Sequence, residues 1–110
     1  MTAPCWAIVD IGSNTVMTLA VQGRGAGLAE LAEWQTTTRL GQGVDASGRL
    51  DPAARRRTLE AIVDHLRHCR ERCPRCVGLA VATSAARDAR DGAEFLESCC
   101  EALGARPRLL

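Results

Sequence analysis

The stretch VDIGSNT, Val9 to Thr15, joins two apolar runs through a glycine and two small polar residues, and this junction limits the fold more than any other segment. Cys5 to Val9 is apolar, and Thr15 to Val21 is dominated by β-branched and aliphatic residues, so the junction predicts a β-hairpin. A glycine-rich link, Gly23 to Gly27, leads into LAEWQTTTRL, Leu31 to Leu40, where Trp34 and three threonines suit a third strand. Three antiparallel strands are expected to open the fold.

The turn-rich segment LGQGVDASGRLDP ends on Asp51 and Pro52, an N-cap residue before a proline at the first helical position. Leu59, Ile62, Val63, Leu66, Cys69 and Cys73 then recur at three- and four-residue steps, which predicts an amphipathic helix ending before Pro74. Val77 to Thr83, VGLAVAT, is an unbroken apolar run and reads as a strand in mid-sheet, buried on both faces. Asp91 with Glu94 resembles a capping box, Phe95, Leu96, Cys99 and Leu103 line one face of a second helix, and Gly104 stops it. A last strand is expected from Arg106. The order predicts an α/β fold, a mixed five-stranded sheet carrying helices.

A chain of 110 residues is the size of one domain, and neither repeats nor linkers divide it. Fourteen basic residues against thirteen acidic ones leave a formal charge of +1, which argues for neither a specific nucleic-acid surface nor a membrane surface. Every basic residue is Arg, so lysine Schiff-base chemistry and the lysine-bearing phosphate loop are excluded. No apolar run approaches the roughly 20 residues that span a bilayer. The six cysteines, without the pattern of a secretory leader, are read as reduced thiols of a cytoplasmic protein.

A turn of Gly and small polar residues exposes successive N–H groups that bind anions without a lysine, and Ser13 and Asn14 add side-chain donors. Asp10 beside such a concavity repels phosphate unless Mg²⁺ or water intervenes, so the carboxylate points to a metal. The plainer alternative has Asp10 accepting hydrogen bonds within the turn while Gly12 supplies a positive φ. A second group, ATSAARDAR from Ala82 to Arg90, begins where the buried strand should end. Ligands gather beyond such strand ends, which places Thr83, Ser84 and Arg87 to meet an oxyanion. Against this, Arg87 reads equally as a surface Arg paired with Asp88 or Asp91.

Taken together, VDIGSNT, LGQGVDASGRL at Leu40 to Leu50 and VATSAARDARD at Val81 to Asp91 resemble, in order and spacing, the exopolyphosphatase / guanosine pentaphosphate phosphohydrolase family. The resemblance covers nearly the whole chain. It implies a ribonuclease-H-like domain of the actin-like ATPase (sugar kinase and Hsp70-type) superfamily, in which Asp10, Gly12, Ser13 and Asn14 form the first phosphate loop and Arg87 contacts the phosphate chain. It also implies a phosphohydrolase that uses Mg²⁺ held at Asp10 and in-line attack by water on polyphosphate or guanosine pentaphosphate, as a homodimer in full-length form. The family's activating glutamate and its second glycine-rich loop are expected beyond Leu110. Residues 1–110 are therefore expected to be an incomplete N-terminal domain with negligible turnover alone, its last strand uncovered and the chain prone to self-association. The competing expectation is a non-catalytic module of the same fold that binds phosphate, nucleotide or protein. Two positions depart from the family pattern: Met17 and Thr18 stand where an Arg is usual, and Asp91 where Asn is.

CRERCPRC sets Cys69, Cys73 and Cys76 at a spacing used for iron–sulfur clusters, and His65 or His68 would complete a zinc set. The first two cysteines also fall on the apolar stripe of the helix, where a thiol serves as a small hydrophobe, and that reading is preferred. The Arg-rich helix is read as a solvated face, since Glu60, Asp64 and Glu71 are interleaved.

Overall fold

A computed structural model describes residues 3–110. Strands β1 (Cys5–Ile11), β2 (Thr15–Gln22) and β3 (Ala29–Thr37) form an antiparallel meander. A one-turn helix α1 (Val44–Ser47) and the long helix α2 (Pro52–Arg72) follow. The chain then runs through β4 (Val77–Ala82), a short helix α3 (Ser84–Asp88), α4 (Gly92–Leu103) and β5 (Arg108–Leu109). The sheet order is β3-β2-β1-β4-β5, with β4 parallel to both β1 and β5. The mixed five-stranded sheet expected from the sequence is the one observed.

Pleating sends Ala7, Val9 and Ile11 of β1 and Val16, Thr18 and Ala20 of β2 to one face, where all are buried. Helices α2 and α4 cover that face with Ile62, Leu66, Phe95, Leu96, Cys99 and Leu103. Gly78 lets both helices approach β4: a Cβ there would stand 3.0 Å from the Leu103 carbonyl and 3.5 Å from a Leu66 methyl. The opposite face is bare. Ile8 and Leu79, paired in register, are 39% and 45% exposed, and Met17 and Val77 lie in the open beside them.

That bare face corrects the reading of VGLAVAT as a strand buried on both sides. Its continuous apolar composition reflects two apolar faces, of which only the Gly78, Ala82 side is covered. In α2 the N-terminus is as expected, Asp51 Oδ2 accepting from the Ala54 N–H at 3.0 Å. The buried stripe is not. Val63 is exposed, whereas Thr58 and His65 are buried, each with its polar atoms satisfied: the Thr58 hydroxyl donates to the Ala54 carbonyl, and His65 bridges Thr18 (2.7 Å) and Thr36 (2.9 Å). Asp91 precedes α4 but does not cap it. Its carboxylate instead accepts from the Leu50 N–H at 2.9 Å and pairs with Arg55 at 3.3 Å.

The expectation of six reduced thiols is also corrected. Cys5 and Cys73 form a disulfide across 68 positions of sequence, because α2 lies back along the sheet and brings its last turn to the start of β1. Cys69, Cys76, Cys99 and Cys100 remain thiols. Burial of Cys99 within the core pushes its thiol up to about 12. Cys73 is taken up by the disulfide, and among the described residues no three His, Cys, Asp or Glu side chains converge as a metal-ligand set.

Candidate phosphate-binding site

Strands β1 and β4 run parallel and end together, Ile11 beside Ala82. Beyond these ends the chain makes two sharp departures. The first is the turn Gly12 to Asn14, closed by the Gly12 N–H donating to the Thr15 carbonyl at 3.1 Å. Glycine is needed here for space and not for a left-handed backbone, since φ is not positive and a Cβ would stand 2.8 Å from the Thr15 oxygen. This revises the reading of Gly12 as a positive-φ residue.

The segment after β3 docks onto this turn. The Asn14 carbonyl accepts from the N–H groups of Thr38 (2.9 Å) and Arg39 (3.0 Å), and the Ser13 carbonyl from Gly41 (2.8 Å). Arg39 has φ of 53°, rare for a non-glycine residue. Arg57 of α2 braces the segment, donating to the Thr38 carbonyl at 3.0 Å and to Gln42 at 3.2 Å. Ser13, Asn14, Arg39, Gly41 and Gln42 line a shallow cavity of about 460 Å³. Sequence reasoning missed Arg39; it stands directly before the second motif, but only the docked loop carries it to the turn.

The second departure leads from β4 into α3, and here the two motifs meet. The Ser13 and Ser84 hydroxyls are 2.8 Å apart, and Ser13 Oγ accepts from the Ala85 N–H at 3.1 Å. The Thr83 N–H reaches the Ile11 carbonyl at 3.4 Å. Ser13, Asn14, Thr83 and Ser84 thus form one constellation, although they come from segments about seventy positions apart. Among the described residues, the N–H groups of Ser13 and Asn14 have no backbone acceptor and remain free for a ligand.

Asp10 lies two residues before the turn, exposed on the bare sheet face between Met17 and Val81. Among the described residues its carboxylate has no hydrogen-bond or ion-pair partner, so the turn does not use it as an acceptor. Met17, one of the two residues standing where the resemblance leads one to expect an Arg, faces it in register and offers no countercharge. Mg²⁺ binds through one or two carboxylates together with waters and substrate phosphates, and one unpaired aspartate beside free N–H donors fits that mode. Arg87 stands apart from this group: Nε donates to Asp88 at 3.0 Å and Nη1 to the Leu110 carbonyl at 3.2 Å, with the side chain 51% exposed. Asp91, the other departure from the family pattern, has its carboxylate paired with Arg55 at 3.3 Å.

A meander continued by parallel β-α units, with a small-residue turn at the end of its first strand, defines the actin-like ATPase fold. Residues 19–107 match the model of the Ppx/GppA phosphatase family, and the chain belongs to that family. It is 41% identical to Exopolyphosphatase 2 of Mycobacterium tuberculosis over 108 residues, covering 90% of this chain and 32% of that protein. Among solved structures, an Aquifex aeolicus Ppx/GppA family member matches with a TM-score of 0.85 at 28% identity, covering 97% of this chain and 35% of that one. A crystal structure of an exopolyphosphatase-like protein matches with a TM-score of 0.86 at 28% identity, covering all of this chain and 33% of its own. The chain therefore spans about a third of the length of these relatives.

Proposed function

We propose that this chain forms the first phosphate-binding wall of a phosphohydrolase that releases terminal phosphate from inorganic polyphosphate. The observation that supports the reading most is the junction of Ser13 with Ser84 and Ala85, beside two unspent N–H groups and an unpaired Asp10. In this reading the N–H groups of Ser13 and Asn14 and the Asn14 amide hold non-bridging phosphate oxygens. Arg39, at the cavity rim, adds positive charge along the phosphate chain. Asp10 would hold Mg²⁺, which supplies charge neutralisation at the phosphate oxygens when bound. Arg87, at an exposed position, joins only by giving up its contacts with Asp88 and the Leu110 carbonyl.

Guanosine pentaphosphate presents the same terminal phosphoryl group, so the turn alone does not choose between the two substrates. Because the remainder of the site lies outside these residues, the chain by itself binds phosphate chains and turns them over negligibly. The test is phosphate release from polyphosphate and from guanosine pentaphosphate, with Mg²⁺, by the protein that carries this chain at the length of its relatives. Asp10→Ala is expected to lower release by roughly 10²–10³-fold while the fold is retained. Binding without release from either substrate would favour the non-catalytic module, and release indifferent to Asp10 would refute the assignment.

A further inference from the structure

The start of β1, at the other end of that strand from the phosphate turn, holds a disulfide that the proposed hydrolysis does not use. Cys5 opens β1 and Cys73 caps α2, and both are only partly buried. They form part of the wall of a groove of about 740 Å³, shared with Leu31, Val77, Arg72 and Arg75. Arg72 and Arg75 flank Cys73 in sequence, are exposed, and among the described residues pair with no carboxylate. An apolar groove carrying an S–S bond and two unpaired guanidinium groups matches a small molecule that has both a thiol and carboxylates.

We propose that this groove is a thiol–disulfide exchange site for a low-molecular-weight anionic thiol, whose carboxylates are held by Arg72 and Arg75 while its sulfur attacks Cys73. The incoming thiolate forms a bond to Cys73 Sγ as the Cys5–Cys73 bond breaks, and Cys5 leaves as a thiolate that takes a proton from water. A second thiolate then attacks the mixed disulfide at the small molecule's sulfur, releasing that molecule's disulfide and the Cys73 thiolate. Two electrons pass from two thiols to the protein, and the small disulfide reverses the sequence.

The direction of attack follows from position. The guanidinium groups flank Cys73 and place an anion beside it, so the incoming sulfur meets Cys73 and Cys5 is the sulfur that leaves. The attacking thiol comes from outside. Cys69 and Cys76 are buried, and burial raises both, Cys69 to about 11, so they remain protonated and do not attack the neighbouring bond.

Thiol counting and peptide mapping of the purified chain test this. The air-oxidised chain, unfolded, is expected to show four reactive thiols. Reduced glutathione is expected to open the disulfide roughly fivefold faster than cationic cysteamine at equal thiolate concentration, an advantage that shrinks with salt. Arg72→Gln with Arg75→Gln removes that advantage and slows glutathione more than mercaptoethanol, whose thiolate carries no carboxylate. Mass mapping is expected to find the glutathione adduct on Cys73. Six reactive thiols, an equal or faster rate with cysteamine, or an adduct on Cys5 would each overturn the proposal.

Discussion

At Gly12 the backbone passes so close to itself that one methyl group decides whether the phosphate turn closes. A Cβ 2.8 Å from the Thr15 oxygen meets backbone, which does not yield as a flexible side chain would. Gly12→Ala is therefore expected to destabilise the chain by about 1–3 kcal/mol, a fall in Tm of several degrees. Scanning calorimetry checks this, and an unchanged Tm would show that the turn opens freely. The importance of Gly12 was legible in VDIGSNT, but its cause was not, because the clash is with a residue three positions on, in the fold. Arg39 was illegible for a related reason: its place beside Ser13 depends on hydrogen bonds to the Asn14 and Ser13 carbonyls that no local pattern announces.

At the scale of elements, α2 is held to the sheet by a polar contact as well as by its apolar stripe. His65 sits 2% exposed between Thr18 of β2 and Thr36 of β3, with Asp64 and His68 as its titratable neighbours on α2. Burial lowers its pKa below the ordinary 6.5, the nearby Asp64 opposes that shift and His68 adds to it. The unfolded chain then takes up this proton near pH 6.5 and the folded chain only at lower pH. The stabilisation is thus complete above about pH 7 and is lost as pH falls through 6.5 toward the folded pKa. Tm measured from pH 7.5 down to 5, above the range where carboxylates titrate, is expected to fall in the wild type and less in His65→Gln. A Tm that rises on acidification would contradict this. The helix itself was legible from Asp51, Pro52 and the 3.6-residue period, but the period assigned Val63 to the core and passed over Thr58 and His65. A buried histidine needs partners on other strands, and hydropathy alone carries no trace of them.

For the whole molecule, the decisive feature is a sheet covered on one face only. Ile8, Met17, Val77 and Leu79 are exposed apolar side chains on that face, and such a surface favours association in water. Sedimentation is expected to show concentration-dependent self-association of this chain, reversed toward monomer by Leu79→Glu. A monodisperse wild-type monomer at high concentration would remove the argument. The element order and the mixed sheet were readable from the hairpin, the helical period and the apolar run at Val77, whereas the bare face was not, since a strand apolar on both sides looks the same whether or not its second face is covered. The joining of Ser13 to Ser84 was legible only as two motifs, and folding makes them one site. That joined site is the central claim. It is tested most directly by following backbone amide NMR signals of the chain as polyphosphate is added with Mg²⁺. Shifts concentrated at Gly12 to Asn14, Arg39 to Gln42 and Thr83 to Ala85, and lost in Ser13→Ala with Asp10→Ala, are the predicted result. Shifts confined to the arginines of α2, or none, would contradict it.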